Sequence, residues 1–347
     1  MALVTGWTAF IIVVATLATI YAMLTIALNV HYGYTGLLNF GHVAFFAAGA
    51  YAAAIVSSPT PSEMTGVYYQ YGFDIAMPLG LPVSLAAGAL AGGLLAVVVG
   101  TTSVRLGSHY LAIATFALAG IFHDIIINEA WLTNGSFGMN NVPKPGRATL
   151  GADAWQLGYF LFAVVCLVGT YLVVQRLLDS PFGRLLKGVR ESEDGARMLG
   201  KRVTTIKLKS FGLGGAIAGF AGGVYAHYLG TVVPAQFIPS VTFTVWAALL
   251  LGGAAKNHGA LIGALLIIAF QESTRFITTA YNWIRAHTPT IIGDVIEAVI
   301  APLPDGPTFI PSVRWAVIGL LIILVIRYRP QGLFGSREEI QTLGEEG

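Results

Sequence analysis

The chain has 347 residues, of which 55% are hydrophobic and only 10% charged, and its mean hydropathy is +0.73. A water-soluble domain carries about 25% charged residues, so this chain has too little charge to cover a surface in water. The net charge of +2 is too small to favour a nucleic-acid partner. These numbers exclude an ordinary soluble fold and indicate an all-α bundle of transmembrane helices.

Nine apolar segments are candidates to cross a bilayer as helices. A span needs about 20 apolar residues, because each helical residue advances about 1.5 Å through a hydrocarbon layer about 30 Å thick. The predicted spans are 8–30, 33–56, 78–103, 108–128, 155–178, 208–229, 241–255, 259–279 and 311–328. The seventh is short, and Gly252-Gly253 is a point at which it would end or break.

The basic residues give the predicted orientation, since short loops rich in Lys and Arg stay in the cytoplasm. Nine of the 19 Lys and Arg residues lie between Arg176 and Lys209. The predicted outer loops, 57–77, 129–154, 230–240 and 280–310, hold only Lys144, Arg147 and Arg285. We therefore expect about nine spans with the N-terminus outside and the C-terminus inside. They would form one membrane domain over 1–335, followed by a short cytoplasmic tail over 336–347.

Glycines recur at four-residue spacing within three of these spans. Helices in lipid have no hydrophobic force between them, so small residues hold them together by letting their backbones approach closely. The spacing predicts helix contacts at these positions but names no function. The glycines are Gly88 and Gly92; Gly215, Gly219 and Gly223; and Gly259 and Gly263.

Motifs for catalysis are absent from the sequence. It has no G-x-x-x-x-G-K-[ST] phosphate loop, no H-E-x-x-H, no G-x-S-x-G and no Cys/His spacing of a metal site. His123-Asp124 is the one pair of neighbouring residues whose side chains suggest catalysis. The pair lies at the outer end of a predicted span, where capping or a local hydrogen bond explains it better. We predict no catalytic residue, no metal and no cofactor, so any ATP hydrolysis takes place on another chain.

The segment 33–51, GYTGLLNFGHVAFFAAGAY, places polar residues inside an apolar span. Asn39 and His42 are flanked by Gly36 and Gly41, and His42 is expected near the midplane of the membrane. Polar groups there face a cavity, a path or a partner, and clustered glycine permits a broken helix. These four residues are candidates to line a substrate path. The alternative is that Asn39 and His42 only hydrogen-bond to neighbouring helices.

The segment 180–209 mixes both charge signs with a patchy apolar face. Ser180-Pro181 is a helix-start signal, and the pattern predicts short helices that lie across the membrane surface. About 30 residues of this composition exceed what a topology signal alone requires. The segment is therefore a candidate docking site for a soluble protein.

Seven stretches in a fixed order complete the pattern: GYTGLLNFGHVAFFAAGAY (33–51), YLAIATFALAGI (110–121), LTNGSFGMNNVP (132–143), FGRLLKGVRESEDGARMLGKRV (182–203), FGLGGAIAGFAGGVYAHYLGTVVPAQF (211–237), LLGGAAKNHGALIGALL (250–266) and RPQGLFG (329–335). Together they resemble the LivM-type permeases of branched-chain amino acid ABC importers. The chain departs from that family after Gly252-Gly253, where another glycine is usual and Ala254 stands here.

The resemblance implies a passive transport subunit of the plasma (inner) membrane. Its partners would be a homologous LivH-type permease subunit, two cytoplasmic ABC ATPase subunits, an external substrate-binding protein and membrane lipid. The 182–203 block would couple to the ATPases, and the candidates for that role are Gly183, Arg184, Arg190, Glu191, Ala196, Leu199 and Gly200.

Three alternatives stay open on sequence grounds. The permeases of urea or short-amide importers are similar to this family, and no residue separates them from an amino acid permease. A secondary transporter would need paired acidic residues near the midplane, which the predicted spans do not offer. An intramembrane enzyme lacks the motifs that its chemistry requires.

Overall fold

The computed structural model describes residues 6–59, 69–75 and 79–287, together with 316, 319–320, 323–325, 327–328 and 331–334. Within these ranges the chain is a helical bundle. Its helices are α1 (Gly6–Thr35), α2 (His42–Ser57), α3 (Gly80–Ser103), α4 (Ser108–Asn128), α5 (Ala130–Thr133), α6 (Arg147–Asp179), α7 (Pro181–Glu191), α8 (Glu193–Met198), α9 (Val203–Leu229), α10 (Pro239–Gly252) and α11 (Asn257–His287). Two-residue strands, β1 (Met139–Asn140) and β2 (Thr231–Val232), pair antiparallel with Met139 opposite Val232.

Five segments of the described chain are long and apolar enough to cross a membrane: Thr8–Thr35, Gly80–Ser103, His109–Asn128, Arg147–Asp179 and Pro234–Gly252. The apolar helix α2 is shorter, with 16 residues. These helices confirm the predicted all-α bundle with several membrane spans. Most of the predicted ninth span, 311–328, lies outside the described residues.

The second predicted span begins in the wrong place. The sequence pattern predicts one helix from residue 33, but α1 continues to Thr35 and α2 begins only at His42. Residues 36–41, between them, are not helical. The apolar pattern could not reveal this break, because the residues that replace the helical hydrogen bonds come from distant parts of the chain.

The predicted glycine contacts are present where α2, α3 and α9 meet. A Cβ on Gly219 would collide with the backbone of Gly88 and Gly92, and a Cβ on Gly49 would collide with Gly219. The same holds for Gly259 and Gly263, which face the backbone of α10. These helices therefore approach each other at backbone distance, as the four-residue spacing indicates.

The predicted short helices of the segment 180–209 are α7 and α8. Ser180 starts α7 by accepting a hydrogen bond on Oγ from the Phe182 N–H at 3.2 Å, with Pro181 in the first turn. Ser192 starts α8 in the same way, because its Oγ accepts from the Gly195 N–H at 3.0 Å. The chain then enters α9, so α7 and α8 form a helical connection between two long apolar helices.

Candidate functional site

The break at 36–41 begins where α1 ends. Gly36 has φ +75°, a left-handed conformation that suits glycine, and its N–H donates to the Tyr32 carbonyl at 2.9 Å. The Leu37 N–H donates to the His31 carbonyl at the same distance. These two bonds close the end of α1 and turn the chain back along it.

A buried triad of His31, Asn39 and His42 holds the break. The His31 Nε2–H donates to the Phe211 carbonyl and the His42 Nε2–H to the Leu24 carbonyl, both at 3.0 Å. Because each Nε2 faces an acceptor, each Nδ1 must accept, and Asn39 Nδ2 donates to both, at 3.1 Å and 3.4 Å. The Asn39 Oδ1 accepts from the Gly41 N–H at 2.9 Å. All three side chains of this polar triad are fully buried.

Hydrogen bonds to α4 and α10 also hold the break and the first turn of α2 in place. The Phe40 N–H donates to Thr115 Oγ1 on α4 and the Val43 N–H to Thr242 Oγ1 on α10, both at 3.1 Å. The Trp246 Nε1–H of α10 donates to the Asn39 carbonyl at 3.0 Å. Backbone groups that a continuous helix would pair internally are therefore paired with side chains, as a broken membrane helix requires.

The break lies deep in the bundle. His42 contacts the carbonyl of Leu24, which is 11 residues before the end of α1 at Thr35. At about 1.5 Å per residue this is about 16 Å from the end of the helix. The N-terminus of α2 is therefore near the middle of α1.

The two sets of residues singled out in the sequence meet at Arg190. The Arg190 Nη1–H on α7 donates to the Gly33 carbonyl in the last turn of α1 at 2.5 Å. A Cβ on Gly36 would lie 3.6 Å from Arg190 Cγ, so the arginine stem covers the turn at which the break begins. The half-buried Arg190 thus joins α7 to the broken membrane helix.

The other coupling candidates lie along α7 and α8. Gly183 is buried, and its Cα lies so close to the Leu178 backbone that a side chain has no room. Arg184, Glu191, Leu199 and Gly200 are exposed, and Ala196 is half-buried. A groove of about 590 Å³ runs between the two helices; Arg184, Leu185, Glu191, Ala196, Leu199 and Ile206 are among its lining residues.

Ion pairs fix α8 relative to α9. Glu193 bonds to Arg197 within α8 and to Lys207 on α9, and Arg197 also bonds to Asp194 at 3.0 Å. Because Ile206 of α9 also lines the groove, the ion pair between Glu193 and Lys207 holds that wall against α8.

A second polar chain runs through the same end of the bundle. Asn29 Nδ2 donates to Asn257 Oδ1, and Asn257 Nδ2 donates to Gln175 Oε1, each at 3.1 Å. Gln175 Nε2 donates to Asp179 at 3.2 Å, immediately before α7. This polar chain links α1 and α11 to the end of α6, after which α7 and α8 follow.

Sequence reasoning missed four residues that build the site. His31 lies eight positions before Asn39 in a charge-free run, and a search for polar residues in apolar spans would have found it. Thr115, Thr242 and Trp246 carry no such signal. Threonine and tryptophan are ordinary residues of membrane helices, so only the tertiary structure assigns them to the break.

A helical bundle with several candidate membrane spans and a broken helix has the architecture expected of a membrane permease. The chain belongs to the family of permease components of branched-chain amino acid transport systems, whose model matches residues 10–326. The family assignment confirms the resemblance drawn from the seven sequence stretches.

Several named proteins are similar to the chain. LivM of Salmonella typhimurium, a high-affinity branched-chain amino acid transport permease, is 32% identical over 76% of this chain and 63% of its own length. A probable LivM of Methanocaldococcus jannaschii is 24% identical over 92% of this chain and 91% of its own length. A probable LivH from the same archaeon is 26% identical over 88% and 92%. The chain thus spans less than two thirds of the Salmonella relative, and no solved structure matches.

Proposed function

We propose that this chain is the transmembrane permease subunit of a binding-protein-dependent ABC importer for branched-chain amino acids in the plasma (inner) membrane. The observation that carries the proposal is the hydrogen bond from Arg190 to Gly33, which joins the cytoplasmic helix α7 to the break at 36–41. The chain would cross the membrane nine times, with its N-terminus outside and its C-terminus inside. Residues 1–335 would form one permease domain and 336–347 a cytoplasmic tail.

The subunit would form half of the translocation path together with a LivH-type homologue. It has no phosphate loop, so two ATPase subunits would supply the energy. Met198 and Leu199 on the cytoplasmic helices are 87% and 78% exposed, and burying them in a docked ATPase would remove apolar surface from water. An external binding protein would deliver the amino acid.

The coupling mechanism follows from the contacts. Closure of the ATPase dimer would move α7 and α8, and the start of α9 would follow α8 because Glu193 ties the two together. Arg190 would transmit the motion to Gly33 and the left-handed Gly36. The segment 36–41 would then shift within the path. In that role Gly36 and Gly41 permit the break, and Asn39 and His42 hold its backbone in position.

Uptake into liposomes tests the proposal. The chain would be reconstituted with its genomic-neighbour homologue, ATPases and binding protein, with ATP inside, and labelled leucine compared with labelled urea. We expect leucine uptake that requires both ATP and the binding protein, and none with an ATPase that cannot hydrolyse ATP. Urea uptake without leucine uptake would assign the alternative, a urea or short-amide importer. Leucine uptake driven by an ion gradient without ATP would overturn the ABC assignment.

A further inference from the structure

A series of aromatic rings flanks the break on an exposed face between α4 and α10. Phe40 stacks on Trp246 at 5.0 Å between ring centroids and lies 5.9 Å from Phe243, which lies 6.4 Å from Phe116. Tyr32 meets Trp246 edge-on at 4.8 Å. Phe116 and Phe243 are each 44% exposed, whereas Trp246 is buried. We call Phe40, Phe116 and Phe243 the aromatic face.

On α10 the aromatic face is one exposed ring in a buried stretch, whereas Phe116 belongs to a wider exposed stripe of α4 with Ile113 and Ile121. From Val241 to Leu249 on α10, Phe243 is the only exposed residue, and Thr242 and Thr244 on either side of it are buried. A helix that faced lipid would expose a wider stripe, as α6 does with Leu161, Val165, Leu172 and others.

Unpaired backbone lies beside this face. Leu38 is half-buried in the extended segment, and in the described part of the chain neither its N–H nor its C=O makes a hydrogen bond. Such groups cost several kcal/mol in hydrocarbon, and irregular backbone at membrane depth is tolerated where protein covers it or water fills a cavity. Lipid is therefore the wrong neighbour for the Leu38 backbone.

We propose that the aromatic face and the Leu38 backbone form the wall along which an aliphatic amino acid passes. The aromatic rings would contact its branched side chain, and the free N–H and C=O of Leu38 would receive its carboxylate and ammonium groups. This chemistry fits a small molecule that is apolar at one end and charged at the other. The inference rests on the proposed function and names the residues that would meet the substrate.

Cysteine accessibility tests the proposal directly, because the chain has only one cysteine. In a Cys166→Ala background, Phe243→Cys and Phe116→Cys would be labelled with a membrane-impermeant methanethiosulfonate reagent in the reconstituted transporter. Leu172→Cys is the matched control, since Leu172 is 51% exposed on the lipid-facing side of α6. The reagent needs a thiolate, and a thiolate forms only in contact with water.

We expect positions 243 and 116 to react at least about tenfold faster than position 172, with slower labelling when leucine-loaded binding protein and ATP are present. Unreactive thiols at both positions in every nucleotide state, together with cross-linking to the second permease subunit, would show a subunit interface and overturn the proposal. Leucine uptake by the unsubstituted transporter is measured in the same vesicles. A failure of the proposed function is thereby distinguished from a failure of this inference.

Discussion

Two regions of the bundle are held together by opposite means. The glycine seam, formed by Gly49, Gly88, Gly92, Gly215 and Gly219, joins α2, α3 and α9 at backbone distance. The polar triad and its neighbours hold the break at 36–41 through hydrogen bonds from α1, α4, α9 and α10. The same helix, α2, belongs to the seam in its middle and to the break at its start.

The difference indicates which region can move during transport. Close packing loses its attraction within an ångström of separation, so helices in the seam must stay together. Hydrogen bonds can be exchanged for others with water, substrate or a partner at similar energy. We therefore assign the seam to a rigid body and the break to the moving part, and the following changes test that division.

The largest effect is expected at the seam. Gly219→Ala places a Cβ against the backbone of Gly88 and Gly92, which cannot move aside as a flexible side chain could. Forcing the helices apart should cost about 3 kcal/mol or more of folding free energy. Thermal unfolding in detergent and the yield of folded protein are the measurements. Gly169→Ala is the control, because nothing lies within 4 Å of its Cβ position. Equal melting temperatures for the two variants would refute the rigid seam.

The polar triad should show the next largest effect. Asn39→Leu keeps the branch at Cγ in a larger side chain and removes the donor that both histidine Nδ1 atoms share. Leaving two buried acceptors unpaired should cost about 2–3 kcal/mol and lower the melting temperature in detergent. Asn128→Leu is the control, since Asn128 is exposed and bonds only within its own helix. A triad variant as stable as this control would show that the break does not depend on the triad.

The sequence was sufficient for the features that depend on composition and local pattern. The glycine spacing predicted the seam because four residues make about one helical turn, whatever the helix packs against. Ser180-Pro181 predicted the start of α7 because a cap is a local interaction. The family resemblance could also be recognised from the sequence, because the seven stretches that carry it span nearly the whole chain.

The break could not be placed from the sequence. Gly36, Asn39 and His42 marked the region, but the helix ends at Thr35 because Arg190 covers the following turn and Thr115 takes the Phe40 N–H. These partners are 75 or more residues away along the chain. Hydropathy shows only that residues 33–56 are apolar. It therefore predicted one helix that includes both the break and α2. The exposed ring of Phe243 also gives no signal in an apolar sequence.

Changes at the junction between the break and α7 should affect coupling more than stability. Arg190→Ala removes the hydrogen bond to Gly33. We expect leucine uptake per ATP hydrolysed to fall about tenfold, which corresponds to about 1.4 kcal/mol, while the ATPase activity persists. Arg197→Ala serves as the control, because Arg197 is exposed and its ion pairs stay within α8. Unchanged coupling in the Arg190 variant would show that α7 does not act through α1.

The smallest effect concerns the turn that joins α10 to α11. Ala255 has φ +65° and its N–H donates to Asn29 Oδ1 at 2.9 Å, so the second polar chain holds an alanine in a left-handed conformation. Removing the Cβ relieves about 1–2 kcal/mol of strain and costs about 0.5–1 kcal/mol in chain entropy. Ala255→Gly should therefore stabilise the protein by about 0.5–1 kcal/mol, seen as a higher melting temperature in detergent.

The neighbouring residue provides a control of opposite sign. Ala254 is not in the left-handed region, so Ala254→Gly gains nothing from strain and should lower the melting temperature slightly. If Ala255→Gly also lowers the melting temperature, the Ala255 methyl group stabilises the protein more by packing than it destabilises it by backbone strain. The turn would then belong with the close-packed seam. If the two variants move in opposite directions, hydrogen bonds impose the strain, and the turn belongs with the break as part of the region that moves.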